Sequence, residues 1–456
     1  MHSPSHAAPS HQKRVRRAQR SPSLNWPGMW DYIDMPTTEH AAAKLVAECG
    51  NRLDRMLTCL DKAREKGGIA AQRDLQKRLL RSGSARIAAM TTRSVNREGW
   101  KWPASQIVQE GLSLDLWNYS GEPVRLVWLP RHSGGFRPIF VYGPKEYAKA
   151  WLAMKSCRIL CRLSGQQFLH GGGVPAMAGW LAKQVTDTTI VTTTDVPNCF
   201  GVLSRQHVEA DRLVPKAVIK ALLYDTMKMA KQKKDPALLH VGGPLGLSMV
   251  PSGNGSGFHP MPGNFPAGSA LTSLLADQRI RSLLDAVEKA VEGVMMGSFA
   301  DNLIILAPST KKAVAAKSAL RQAVLDEYGK DVADEIWDRM RTSAASAGFY
   351  FLNDHYEHDG ERLVRRMSDS VLEGYPARLT AEVFEKKLSP TQIRRRIASW
   401  ERYRSYDPRA AIAANEFRAM FKLSDGDVED ASETEEDGFD DMVWLSSVPE
   451  DCPWDA

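Results

Sequence analysis

The chain has 456 residues, of which 43% are apolar and 25% charged, the fractions of a soluble globular protein with room for two or three subdomains around a sizeable core. No uninterrupted apolar run is long enough to span a bilayer, which excludes a helical membrane protein. The net charge of +6 hides an asymmetry: thirteen Asp and Glu and no Lys or Arg lie from Ser424 onward, so residues 1–423 carry 60 basic and 41 acidic residues, a net of +19. A body that basic suits a polyanionic partner.

In chain order, residues 1–35 predict an irregular basic arm. "MHSPSHAAPSHQKRVRRAQR" has cations but no apolar stretch behind them, so it does not read as a secretory signal. "EHAAAKLVAECGNRLDRMLTCLDKAREK" spaces Leu45, Cys49, Leu53, Met56 and Leu60 by three and four, which predicts helix from about 38 to 95. "PVRLVWLPRHSGGFRPIFVYGP" predicts a β-hairpin around His132-Ser133-Gly134-Gly135. "KEYAKAWLAMKSCRILCRLSG" predicts an amphipathic helix, and "GWLAKQVTD" a shorter one. "TTIVTTTDV" predicts a strand, and "HVEADRLVPKAVIKALLYDTMKMAKQKK" reads as mostly helical despite Pro215.

A Gly- and Pro-rich stretch runs from Gly242 to Gly268. Helix "SALTSLLADQRIRSLLDAVEKAVEG", hairpin "VMMGSFADNLIILAP" and helix "STKKAVAAKSALRQAVLDEYG" follow. "GFYFLNDHYEHDGERLVRRMS" predicts strands and turns. "SPTQIRRRIASWERYRSYDPRAAIAANEFRAMFKL" predicts basic helices, with Ser389 and Pro390 as cap and first turn. The acidic stretch 424–456 has the composition of a disordered tail. The fold class expected is α+β, an antiparallel sheet backed by helices. The six cysteines include no C-x-x-C pair and no zinc spacing, which predicts a reducing, cytoplasmic setting.

Two acidic positions carry the chemistry. Asp195 ends a β-rich run, and Asp301 occupies a turn between two apolar strands. Taken alone, Phe299-Ala300-Asp301-Asn302 reads as an ordinary β-turn, where Asp and Asn are common. If the two strands pair, however, both carboxylates reach one edge of the sheet. Carboxylates side by side repel, and a divalent cation relieves that repulsion. Mg²⁺ prefers oxygen ligands, and two such ions about 3.5–4 Å apart serve phosphoryl transfer. Arg131 and Arg137, on the hairpin, have the fork geometry that suits triphosphate oxygens.

In order and spacing these segments resemble the reverse transcriptases, particularly the bacterial retron and group II intron type. "GGFRPIFVYGP" resembles the fingers segment. "QFLHGGGVPAMAGWL" resembles the stretch before motif A. "TTTDVPNCF" resembles motif A, "FPAGSALTSLLAD" motif B, "SFADNLIIL" motif C and "SAGFYFLND" motif D. The resemblance covers about residues 120 to 370.

It implies a right-hand polymerase: a helical region with fingers over 36–185, a palm over 186–375 and a helical thumb over 376–423. The implied activity is RNA-directed DNA synthesis from an RNA template, a primer strand and dNTPs, with two Mg²⁺ ions, or Mn²⁺, as cofactors. A cognate structured noncoding RNA is a further partner the resemblance suggests. Asp195, Asp301 and Asn302 would be catalytic, the metals held by Asp195, Asp301 and the Val196 carbonyl. Arg131, Arg137, Phe200, Gly268 and Ser269 would bind nucleotide, with Phe200 at the sugar-sensing position. Arg394, Arg395 and Arg396 would touch nucleic-acid phosphates from the thumb.

The chain departs from the family pattern at several points. Asn302 replaces the second Asp of motif C, Phe299 the usual Tyr, and Ala267 and Ala270 the usual Gln and Pro. His355 or Tyr356 falls near the motif D position where the family often has a Lys. Two alternatives share these features: an RNA-dependent RNA polymerase, and a catalytically silent RNA-binding protein that keeps a polymerase shape.

Overall fold

The computed structural model describes residues 33–92, 102–122, 124–130, 136–161, 163–197, 199–202, 208–209, 211–226, 265, 268–386 and 388–423. Residues 1–32 of the basic arm, the acidic tail, Arg131 and most of the Gly- and Pro-rich stretch lie outside them. The described residues form an α+β protein. Among them no helix is long and apolar enough to cross a membrane.

The N-terminal helical region is three helices, α1 (Glu39–Glu65), α2 (Ile69–Arg81) and α3 (Gly83–Met90). The first break follows Lys66, where Gly67 takes φ 73°, and the second falls at Ser82, whose hydroxyl caps α3. The buried face of α1 is Ala42, Cys49, Leu53, Met56 and Leu60, the helical spacing of the sequence made into a contact surface.

Next come α4 (Ala104–Ser113), the antiparallel pair β1 (Arg125–Pro130) and β2 (Phe136–Val141), and α5 (Pro144–Leu160). Lys149 on α5 is fully buried, and its ammonium donates to Glu146 at 2.7 Å and to the Asn118 carbonyl at 2.8 Å. A buried cation needs such partners. This network fastens the loop before the hairpin to α5. Cys157 and Cys161 are buried at the end of α5 with their sulfurs 3.6 Å apart, as shared core packing predicts.

After α6 (Gly173–Gln184) comes the central sheet: β3 (Ile190–Asp195), β4 (Met295–Phe299), β5 (Asn302–Ala307) and β6 (Arg341–Ala344). Its order is β4-β5-β3-β6, antiparallel throughout. β5 reads as an unbroken apolar run because both faces are covered. Leu303, Ile305 and Ala307 enter one core cluster with the N-terminal helices, whereas Ile304 and Leu306 enter a second with α6.

Between β3 and β4 lie the short α7 (Cys199–Val202), α8 (Lys216–Ile219), which runs on as a π-turn over Lys220–Asp225, and the long α9 (Ala270–Ala290). Of the segment 207–234, expected to be mostly helical, Val208, Glu209 and Asp211 are helical, and a further helix starts after Pro215, which sits at its N-cap and cannot donate to a preceding turn; residues 227–234 lie outside the described residues.

α10 (Thr310–Tyr328) and α11 (Lys330–Arg339) lead into β6. The sequence reading missed both α11 and β6. A second sheet, β7 (Phe349–Phe351), β8 (Asp354–His358) and β9 (Leu363–Met367), precedes α12 (Asp369–Lys386), α13 (Pro390–Tyr403) and α14 (Arg409–Met420). Ser389 and Gln392 form a full capping box on α13, with Pro390 at its first turn. These three helices share their own apolar cluster, in which Tyr375 stacks on Trp400.

Candidate metal and nucleotide site

β3 and β5 run side by side with Asp195 opposite Asn302. Opposed residues of antiparallel strands share a face. The Val196 amide donates to the Asp301 carbonyl at 2.9 Å, which binds the turn to the strand end. Asp195 and Asp301, 106 positions apart in the chain, thus stand at one end of the sheet. The turn itself is two residues long and needs a positive φ at its first position, which Ala300 supplies at 52°.

A third carboxylate lies close by. Asp277 on α9 is 1% exposed, and neither of its oxygens has a hydrogen-bond donor among the described residues. Burial holds its carboxyl well above the usual carboxylate range, and the charge of Asp301 adds to the shift. Burial likewise raises the Cys199 thiol, with further contributions from the charges of Asp301, Asp277 and Asp195. His170 Nε2 lies 3.9 Å from Asp277, too far for a hydrogen bond. Burial pushes His170 down to about 4, which keeps the ring neutral at neutral pH.

A test of this buried acid is direct. A carboxyl raised by folding contributes stability below the ordinary carboxylate range and loses it as pH rises through the raised value. Asp277→Asn should therefore unfold no earlier than the parent at pH 5 and later at pH 8, by about 1–3 kcal/mol. Chemical denaturation at the two pH values measures it, and equal pH slopes for the two proteins would contradict it.

The surroundings of Asp195 and Asn302 differ from the sequence expectation. Arg339, the last residue of α11, donates to Asp195 at 2.6 Å and to Glu335, also at 2.6 Å. Burial raises the Asp195 carboxyl, and Arg339 opposes that shift. Asn302 turns its amide nitrogen, not its oxygen, toward Asp301 Oδ1 at 3.3 Å and the Phe299 carbonyl at 3.4 Å. It acts here as a donor that steadies the turn rather than as an oxygen ligand.

The other candidate residues are dispersed. Phe200 is half-buried against the main core. Gly268 takes φ 105°, and a Cβ there would stand 2.4 Å from the Phe140 carbonyl of β2. The close approach that this glycine permits is thus to the protein's own hairpin and not to a nucleotide. Ser269 is 2% exposed at the N-cap of α9, and its buried hydroxyl has no hydrogen-bond partner among the described residues. Gly268→Ala should cost about 2–3 kcal/mol through the forced φ and the clash, and an unchanged unfolding midpoint would refute this seating.

Arg137 lies in β2 opposite Leu129. Arg394, Arg395 and Arg396 follow one another on α13. Arg395 is exposed, and the other two are half-buried beside the inward Ile393 and Ile397. His355 and Tyr356 belong to the separate β7–β9 sheet, where Tyr356 is buried and stacked on Phe349. It is Arg339, not His355, that this part of the chain brings to Asp195. Its only sequence signal is the amphipathic spacing of Ala333 and Ile336 in "KDVADEIWDR".

Among the described residues no three His, Cys, Asp or Glu side chains converge to hold a metal by themselves. Two carboxylates at one sheet end, with an orphaned third acid near, still fit an ion such as Mg²⁺, which takes one or two carboxylates and completes its shell with water and phosphate. No protein-family model matches this chain, and no curated protein matches it.

Proposed function

We propose that this protein is a template-directed nucleotidyltransferase, an RNA-directed DNA polymerase with fingers, palm and thumb in a right-hand arrangement. The observation that carries the reading is the pairing of β3 with β5, which sets Asp195 opposite Asn302 and brings Asp301, in the adjoining turn, to the same end of a doubly covered sheet. In this reading Asp195, Asp301 and the Val196 carbonyl hold two divalent ions. When bound, such ions neutralise the phosphates and favour attack by a primer 3′-hydroxyl on the α-phosphate of a dNTP.

The chain's own residues do the positioning. The turn hydrogen bonds of Asn302 and the Val196 amide keep Asp301 in place. Phe200 presses on the sugar and disfavours a 2′-hydroxyl. Arg131 and Arg137 clamp the triphosphate. Gly268 and Ser269 shape the pocket from behind by seating β2 on α9. Arg394, Arg395 and Arg396 meet the backbone of an RNA-containing duplex. Most catalysis in such a site is positioning and charge stabilisation.

A second reading, a silent RNA-binding protein of the same shape, draws support from the guanidinium on Asp195. Primer extension by the purified chain on RNA and DNA templates, with Mg²⁺ or Mn²⁺, separates the cases. Extension with dNTPs on RNA supports the proposal. Extension with NTPs alone assigns an RNA polymerase. Metal-independent RNA binding without extension assigns the silent protein.

A further inference from the structure

The sheet explains why a cation from α11 reaches Asp195. β6 pairs with β3 so that Arg341 stands opposite Thr193. The strands are antiparallel, so the chain two residues earlier, at Arg339, comes level with Asp195. One guanidinium then bridges Asp195 Oδ2 and Glu335 Oε1, each at 2.6 Å. The pair is half-buried and still reached by solvent: the side chains of Arg339 and Asp195 are 40% and 35% exposed. An ion pair this exposed is held weakly, and exchanging one partner costs little.

We infer that Arg339 is a cation gate: it occupies the place of a divalent ion on Asp195 and is exchanged for it, remaining on Glu335 when it leaves. The inference rests on the two-metal reading of the site. A metal on Asp195 sits about 2.0–2.1 Å from the carboxylate oxygen, which would put it against a guanidinium already 2.6 Å away. Like charges that close repel, so binding of one is coupled to release of the other. Glu335, one helical turn before Arg339, is the second resting place, which makes the device two-state and not a simple loss of contact. Arg339 is therefore a positioning residue that sets the metal concentration at which the site loads.

Mn²⁺ binding to the full chain, followed by the loss of the free-ion electron paramagnetic resonance signal, tests the gate without any turnover. Arg339→Gln should tighten Mn²⁺ binding about tenfold, and adding Asp301→Asn should remove the gain. Glu335→Gln should weaken binding about threefold in the parent, because the guanidinium then rests on Asp195 alone. In the Arg339→Gln background the same change should have no effect. A gate acting through Arg339 requires that coupling, whereas a general change of local charge would leave the two effects additive.

Additive effects, or Asp301-dependent binding of equal strength with and without Arg339, overturn the gate and leave the two-metal reading standing. Absence of Asp301-dependent binding in every variant overturns both. Arg339→Lys serves if the Gln variant unfolds: its shorter reach should loosen the hold on Asp195 and tighten Mn²⁺ binding, and unchanged binding counts against the gate.

Discussion

Asp301→Ala should abolish dNTP incorporation, with a loss of about 1000-fold or more, while the fold survives. The loss corresponds to about 4 kcal/mol of transition-state stabilisation, the scale expected when a metal-holding carboxylate is removed. The fold survives because alanine, though it loses the bond from the Asn302 amide to Asp301 Oδ1, keeps the backbone bond from Val196 and that of the Asn302 amide to the Phe299 carbonyl. Circular dichroism and the unfolding midpoint should therefore change little. Primer extension of the variant and the parent under saturating Mg²⁺ measures the effect. Incorporation at the parent rate would remove Asp301 from the reaction and with it the two-metal reading.

Asp354→Ala should be the most destabilising single change in the C-terminal half. Asp354 is fully buried and carries a complete set of partners. Arg365 Nε donates to one oxygen at 2.8 Å, and Arg404 and Tyr406 donate to the other at 2.8 and 2.6 Å. The Arg365 guanidinium also lies 3.6 Å from the ring centre of Tyr406. The network joins β8 and β9 to the loop between α13 and α14. Removing the one anion leaves two guanidinium groups, 15% and 11% exposed, without their counter-charge.

Breaking a buried pair in this way costs about 3–5 kcal/mol, far more than the pair contributes relative to an apolar replacement. The α12–α14 unit should become the first part of the chain to open. Limited proteolysis between residues 369 and 423 and a lowered unfolding midpoint would record it. Asp354→Asn, which keeps the shape and loses the charge, should fall between the two. A variant as resistant as the parent would show that the helices are held by their own apolar cluster.

Much of the central sheet is legible in the sequence because both of its faces are covered. "NLIILA" must be strand, and its two-residue turn follows from the flanking runs. The basic helices after residue 388 are equally plain, since Ser389, Pro390 and Gln392 write the capping box directly into the chain. The expected convergence of Asp195 with Asp301 needed one further assumption, that β3 and β5 are neighbours.

Other features had no local signal. Asp277 stands at core spacing, three residues from the inward Leu274 and Ile280, but nothing local shows that its charge falls near Asp301. Gly268 reads as a ligand-binding glycine, yet the space it opens is filled by the Phe140 carbonyl. The guanidinium on Asp195 comes from 144 residues further along, through a helix and a strand too short to announce themselves.

The sequence by itself determined the α+β class, the strands and turns that carry Asp195 and Asp301, and the asymmetry between a basic body and an acidic end. Those properties follow from nearest-neighbour spacing, side-chain period and summed charge. Only the tertiary structure decided what faces those carboxylates: Arg339 on one, the Asn302 amide on the other, and a buried acid close by. Strand order and helix docking bring residues together across long stretches of chain, and no local pattern encodes which charge will meet which.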